Sequence, residues 1–323
     1  MVLGAEEIVV PGADEIVVAC CQLAPQVGEL EANRELARIA IVEAAARGGQ
    51  VVVLPELVNS GYVFEGADEA RAVAETLDGP TVSGWVELAR ERELVIVGGV
   101  CERADAGALR NTAVIVDATG LRAVYRKAHL WDREGDVFGA GEERPPVVDT
   151  PYGRIAVVVC YDLEFPEWMR LPAMAGAELV CAPVNWPREP RPDGERPQEV
   201  VRVQASASVN RMFIAVAGRV GRERGVDWVG GSVVVDPAGY PLAGPAGDEE
   251  IVTIVARCDL SDARRKQISE RNDVLADRRP ELYGPVAGAA PDPAAGAAPD
   301  PAAAAAPDPA VAAAPQGSEP AAW

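Results

Sequence analysis

The chain has 323 residues, is 49% hydrophobic and 25% charged, and carries a formal net charge of −20. That length is ample for an α/β core, and the acidity argues against nucleic acid or an anionic membrane as a partner. No stretch approaches the roughly 20 apolar residues that span a bilayer.

Residues 1–14 form an acidic lead-in punctuated by Gly and Pro, expected to be loose, with no signal peptide evident. A cytoplasmic location is expected from the cysteines, which read as reduced thiols. Glu15 to Leu23 reads as a first strand. Glu29 to Arg47 has helical spacing, with Gly48-Gly49 as its stop. Val51 to Leu54 is a buried strand that ends at Pro55-Glu56. Pro80 to Glu93 reads as a helix, and Leu94 to Val100 as a third strand. Thr112–Val116 and Arg122–Arg126 flank the turn at Asp117–Gly120 and predict a hairpin.

Ile155 to Val159 is an unbroken apolar run, closed by Cys160 and followed by a helix from Pro166 to Ala175. A strand at Glu178–Ala182 then leads into a loop, Pro183 to Pro197, rich in Pro, Arg and Trp. Helix Gln198–Arg211 and strand Met212–Ala217 follow. Gly230–Val235 and Ile251–Ala256 complete the strands, with a turn at Asp236–Gly239 between them. Alternating strands and helices with added hairpins predict a layered α/β fold with mixed sheets. From Gly288 an octad repeat, GAAPDPAA and its variants, offers nothing large and apolar to bury, and predicts a disordered tail over 285–323.

Six cysteines in so long a chain, two of them adjacent (Cys20, Cys21), do not make a disulfide framework and read as reduced thiols. The single histidine, His129, excludes multi-histidine zinc sites within one chain, and no CxxC pair replaces them. Neither GxGxxG after the first strand nor GxxxxGK[ST] is present, so dinucleotide and P-loop readings lose their main support. No metal and no cofactor are expected.

Three predicted strands end in a reactive group: Glu56, Lys127 and Cys160. Taken singly, each has an ordinary reading as a rim carboxylate, a solvated lysine or a packed core thiol. Taken together, strand ends on one side of an α/β sheet converge on a common crevice. A carboxylate in a dry pocket takes a thiol proton, and an ammonium favours the thiolate and a developing oxyanion. Such chemistry needs no histidine.

PELVNSGY, YRKAHLWDRE and CYDLEFPE, in that order, resemble the three signature segments of the nitrilase superfamily of carbon–nitrogen hydrolases. Glu56 and Lys127 are 71 residues apart, and Lys127 and Cys160 are 33 apart. The likeness extends from ACCQLAPQVGELEAN through PVNW to DPAGYPL and covers residues 15–284, leaving the tail outside. It implies a four-layer αββα sandwich with two mixed β-sheets between helix layers, and a homodimer or higher homo-oligomer.

On the matching positions, the resemblance implies Glu56 as general base, Lys127 as oxyanion stabiliser and Cys160 as nucleophile. A second glutamate is best matched by Glu134, with Glu142 or Glu143 as alternatives. Tyr161 supplies a backbone N–H for the oxyanion and joins Tyr62, Trp131, Asn185 and Trp186 as pocket candidates; packing is an equal reading for the tryptophans. His129 is expected to be a hydrogen-bonded structural residue, and the other five cysteines core thiols. With Tyr-Asp after Cys160, where dedicated nitrilases typically have Trp-Glu, CYDLEFPE resembles the amidase, carbamoylase and ω-amidase branches, and a small carboxamide substrate is expected. The alternatives are a nitrile or N-carbamoyl substrate of the same site, a thiol enzyme working through His129, and a noncatalytic oligomeric binding protein.

Overall fold

The computed structural model describes residues 14–284. The rest of the expected lead-in, 1–13, and the repeat tail, 285–323, lie outside the described residues. The chain divides between Asp277 and Arg278; the described part after that point holds one turn of 3-10 helix, Pro280–Leu282.

The first half runs β1 (Glu15–Gln22), α1 (Leu30–Ala46), β2 (Val51–Val53), α2 (Ala67–Val73), α3 (Pro80–Arg92), β3 (Val95–Arg103), β4 (Leu109–Asp117) and β5 (Gly120–Arg126). The second half runs β6 (Val147–Thr150), β7 (Gly153–Val157), α4 (Pro166–Met174), β8 (Leu179–Pro183), α5 (Gln198–Asn210) and β9 (Phe213–Ala217). It closes with β10 (Arg222–Glu223), β11 (Val226–Asp227), β12 (Val233–Val235), β13 (Pro241–Ala243), β14 (Val252–Asp259) and α6 (Ser261–Arg264).

Two six-stranded sheets result, ordered β14-β1-β2-β3-β4-β5 and β13-β12-β9-β8-β7-β6, beside a separate β10–β11 ribbon. Each sheet has three parallel strands at its centre, β1–β2–β3 in one and β7–β8–β9 in the other. Each is flanked by one antiparallel strand on one side and two on the other. The two halves therefore repeat one plan, with β1, β2 and β3 matching β7, β8 and β9.

The pleat explains the layering. In β2, Val51 and Val53 face the core shared with the second sheet, while Val52 packs with Ile41, Ala44 and Trp85 under α1 and α3. Helices α4 and α5 cover the far side of the second sheet, where Met169, Val203 and Ala207 join its core. Strands buried on both faces need apolar side chains at every position, hence VVV in β2 and LVCAP in β8. The expected αββα sandwich is the observed fold.

Several sequence expectations require correction. Strand β7 ends at Val157, not Val159; Val158 still donates to the Cys181 carbonyl at 3.2 Å, but Cys160 opens a 3-10 turn, Cys160–Glu164. The strand expected from Gly230 begins only at Val233, because Gly230 and Gly231 have φ of 66° and 72°. The turn at Asp236–Gly239 leads into β13, whereas β14 crosses to the other sheet and pairs with β1. Six segments, α2, β6, β10, β11, β13 and α6, are too short or too weakly patterned to read from the sequence.

Gly99 in β3 ties this frame to its functional end. A Cβ built there would lie 2.5 Å from the Glu56 Cα and 2.5 Å from the Leu57 nitrogen. The same glycine donates to the Pro55 carbonyl and accepts from the Val58 N–H. Gly99→Ala is expected to push the Glu56 turn off the strand. The overpacking should cost about 1–3 kcal/mol by chemical denaturation and reduce activity by more than that loss of folded protein explains.

Candidate active site

Glu56 sits just past β2, Lys127 just past β5 and Cys160 two residues past Val158, so the carboxylate and the ammonium come from one sheet and the thiol from the other. Two backbone positions beside them are unusual. Leu57, after Glu56, has φ of 48°, and Cys160 itself has φ of 46°. Left-handed backbone at a non-glycine residue costs about 1–3 kcal/mol and persists only where the surroundings impose it.

For Cys160 the surroundings are Asp162. Its carboxylate accepts from the Val159 N–H at 3.0 Å, the Tyr125 hydroxyl at 2.7 Å and the His129 N–H at 3.2 Å. The His129 ring Nδ1 lies 2.7 Å from the same carboxylate, and the ring stacks on Phe165 with centroids 3.8 Å apart. His129 is thus a hydrogen-bonded brace of the thiol-bearing turn. It does not line the cavity of Cys160.

At the centre, Lys127 is fully buried and its Nζ donates to Glu56 Oε1 and Glu134 Oε1, each at 2.8 Å. Asn111, from β4, donates from its Nδ2 to the same two oxygens, at 2.7 Å to Glu56 and 3.2 Å to Glu134. Glu134 also accepts from the Tyr62 hydroxyl and the Trp131 N–H, both at 2.8 Å. Glu142 and Glu143 are exposed. Among the three candidates for the second glutamate, the structure brings only Glu134 to Lys127.

The electrostatics follow from burial. Desolvation pushes the Glu56 carboxyl up to about 7, against the pull of Lys127 and the Asn111 hydrogen bond. Burial likewise raises the Cys160 thiol, helped by the Glu56 charge and opposed by Lys127. Burial works against the Lys127 charge, but the carboxylates of Glu56 and Glu134 override it and hold its pKa up. Glu56 Oε2 has no hydrogen-bond partner among the described residues. A buried carboxylate oxygen without a donor is an open proton acceptor beside a protonated thiol.

A cavity of about 170 Å³ opens over Cys160, lined by Trp131, Tyr161, Asn185 and Trp186 among others. Cys160 Sγ lies 3.8 Å from the Asn185 carbonyl, and Asn185 Nδ2 donates to the Glu56 carbonyl at 2.9 Å. Four of the five pocket candidates therefore do meet above the thiol. Tyr62 does not. It lines a neighbouring cavity, packs edge-on against Trp228 at 5.3 Å and uses its hydroxyl to hold Glu134.

Residues 17–267 match the family described as carbon-nitrogen hydrolase. The chain belongs to that family, within the nitrilase superfamily. This carbon–nitrogen hydrolase is 36% identical over 269 residues to a nitrilase of Pyrococcus abyssi, covering 82% of this chain and 98% of that one. It is 33% identical over 264 residues to an (R)-stereoselective amidase of a Pseudomonas species, covering 81% and 91%. Among solved structures it resembles an amidase from Nesterenkonia sp. with TM-score 0.69 and 28% identity, over 86% of this chain and 98% of that chain. That structure is described as showing covalent addition of the acetamide moiety of fluoroacetamide at the active-site cysteine.

Sequence reasoning on this hydrolase missed Asn111 and Asp162. Asn111 left little signal, since Arg110 and Thr112 beside it in LRNTAVIVD are polar as well. Its role suggests a direct check. Asn111→Ala removes a hydrogen bond that favours the charged form of Glu56, so the Glu56 pKa should rise. The acid limb of the pH–rate profile is expected to move to higher pH. An unmoved limb with only a lower plateau would show that Asn111 does not bear on Glu56.

Proposed function

We propose that this carbon–nitrogen hydrolase cleaves a small linear carboxamide to a carboxylate and ammonia through a cysteine thioester. The observation that carries the reading is Glu56: a buried carboxyl raised to about 7, with one oxygen bound to Lys127 and the other unpartnered. Near neutral pH such a group takes a proton and gives it back with little penalty either way.

In the proposed cycle Glu56 Oε2 accepts the Cys160 proton as Sγ bonds to the amide carbon. The Lys127 ammonium and the Tyr161 N–H stabilise the oxyanion that forms. Collapse breaks the carbon–nitrogen bond, and Glu56 returns its proton to the departing ammonia. Glu56 then draws a proton from water, which attacks the thioester, and the thiol is restored as the acid leaves. Glu134 keeps Lys127 charged and fixed throughout. Tyr-Asp after Cys160 and the amidases among the relatives and solved structures support an amide over a nitrile, and the adduct on the cysteine of the Nesterenkonia amidase supports a cysteine nucleophile.

Two experiments test the proposal. Ammonia release across aliphatic and aromatic amides, nitriles and N-carbamoyl compounds should favour the amides, and Cys160→Ala should abolish it; an acyl adduct should appear on the Cys160 peptide by mass spectrometry. Turnover that persists in Cys160→Ala overturns the scheme. Because Glu56 must be deprotonated to take the thiol proton, and its pKa is raised to about 7, kcat/KM should fall as pH drops below about 7. A limb near the ordinary carboxyl range would contradict the role given to Glu56.

A further inference from the structure

The rim of the Cys160 cavity has a charge pattern that the chemistry at the sulfur does not use. Glu164, Glu189, Glu199 and Arg202 all line it. Arg202 Nη1 lies 2.7 Å from Glu164 Oε1 and 3.9 Å from Glu199 Oε1, so its charge is already shared between two carboxylates. Glu189 is exposed and has no ion-pair or hydrogen-bond partner among the described residues. It also borders the neighbouring cavity, at the junction formed by Trp131 and Pro187.

The cations of that second cavity are matched too. Arg224 forms an ion pair with Glu69, and Arg133 lies 3.7 Å from Asp136. At the floor, Lys127 is enclosed by Glu56 and Glu134. Around the whole path to the sulfur, every cation therefore has an anion of its own, while two exposed anions, Glu189 and Asp132, have no cation among the described residues. A substrate carboxylate would meet no unpaired positive charge and several negative ones. A substrate ammonium would meet Glu189.

The floor of the cavity is complementary at the reacting end. Asn185 is 1% exposed, lines the cavity and leaves its Oδ1 without a donor. That oxygen is an acceptor suited to the N–H of an amide. The aromatic walls between the two ends, Trp131 and Tyr161, stand edge to face at 4.9 Å and suit a short apolar spacer.

Resting on the amidase reading of the site, we propose that the preferred substrate is an amide whose acyl chain ends in a basic nitrogen, an ammonium or guanidinium, held at the rim by Glu189, and that carboxylate-bearing amides are poor substrates. Glu189 is a specificity residue in this proposal. Its contribution is set by solvent, since exposed ion pairs are worth about 0.2–1 kcal/mol and weaken with salt. The acidic rim as a whole adds to it by concentrating cations at the entrance.

The test compares three amides of equal chain length: an ω-amino amide, the plain alkyl amide and the half-amide of the matching dicarboxylic acid. The same series is made with nitrile and N-carbamoyl head groups, so that the charge order is readable whichever group is cleaved. At low ionic strength kcat/KM should rank amino above alkyl above carboxylate. Glu189→Gln should shrink the amino-to-alkyl ratio by about threefold, chiefly through KM, and added salt should shrink it in the parent. Glu164→Gln with Glu199→Gln frees Arg202 and should raise the carboxylate member relative to the alkyl one. Calorimetric binding of the same series to Cys160→Ala ranks the compounds without turnover. Equal or better use of the carboxylate member, or a ratio untouched by Glu189→Gln, overturns the proposal. Cleavage of only nitriles or carbamoyl compounds with the amino member still first would overturn the amide assignment and leave the charge preference standing.

Discussion

The site depends on one buried ammonium held between two carboxylates. Taking Lys127, Glu56 and Glu134 out of water costs several kcal/mol per ion, and their mutual attraction offsets that only because the contacts are short and further donors complete them. Asn111 and Tyr62 are those donors. The cluster carries two negative charges for one positive, so its net charge is −1 while the thiol is neutral. Moving the thiol proton to Glu56 leaves that total unchanged. In a low-dielectric pocket a transfer that conserves net charge is far easier than one that creates a second uncompensated anion.

Much of the remaining structure serves to hold these groups at fixed distance. The Pro55–Val58 turn is bonded to Gly99 on β3. The Cys160 turn is pinned by four contacts to Asp162. Asn185 joins the two, donating to the Glu56 carbonyl while its own carbonyl faces the sulfur. These contacts explain how a left-handed cysteine and a left-handed Leu57 are tolerated side by side in one site. Prepositioned groups lower a barrier without reorganising during reaction.

The legible parts of the fold were those with redundant local signals. β2 and β8 are apolar at every position, α1 and α3 carry helix-period apolar residues with clear stops, and the three motif segments announce Glu56, Lys127 and Cys160. The thiol's true setting was not legible, because VVVC reads as uninterrupted strand until Asp162 turns back to take the Val159 N–H. Asn111 was hidden because its partners, Glu56 and Glu134, are 55 and 23 residues away. The pairing of β14 with β1 was equally hidden, since it joins the two ends of the fold. Tyr62 illustrates a different gap: its position after a strand was clear, but the direction of its hydroxyl depends on Glu134, which a separate loop delivers.

The repeated plan of the two sheets has a mechanical consequence. Glu56 leaves the middle parallel strand of one sheet, and Asn185 follows the middle parallel strand of the other, so their hydrogen bond joins equivalent strand ends across the sandwich. The proton acceptor and the sulfur thus ride on different plates. Any sliding of one plate over the other acts on their separation through only two short turns, the one that carries Glu56 and the one that carries Cys160. The apolar layer between the sheets, Val51 and Val53 of β2 among it, therefore bears on the spacing of the reacting groups.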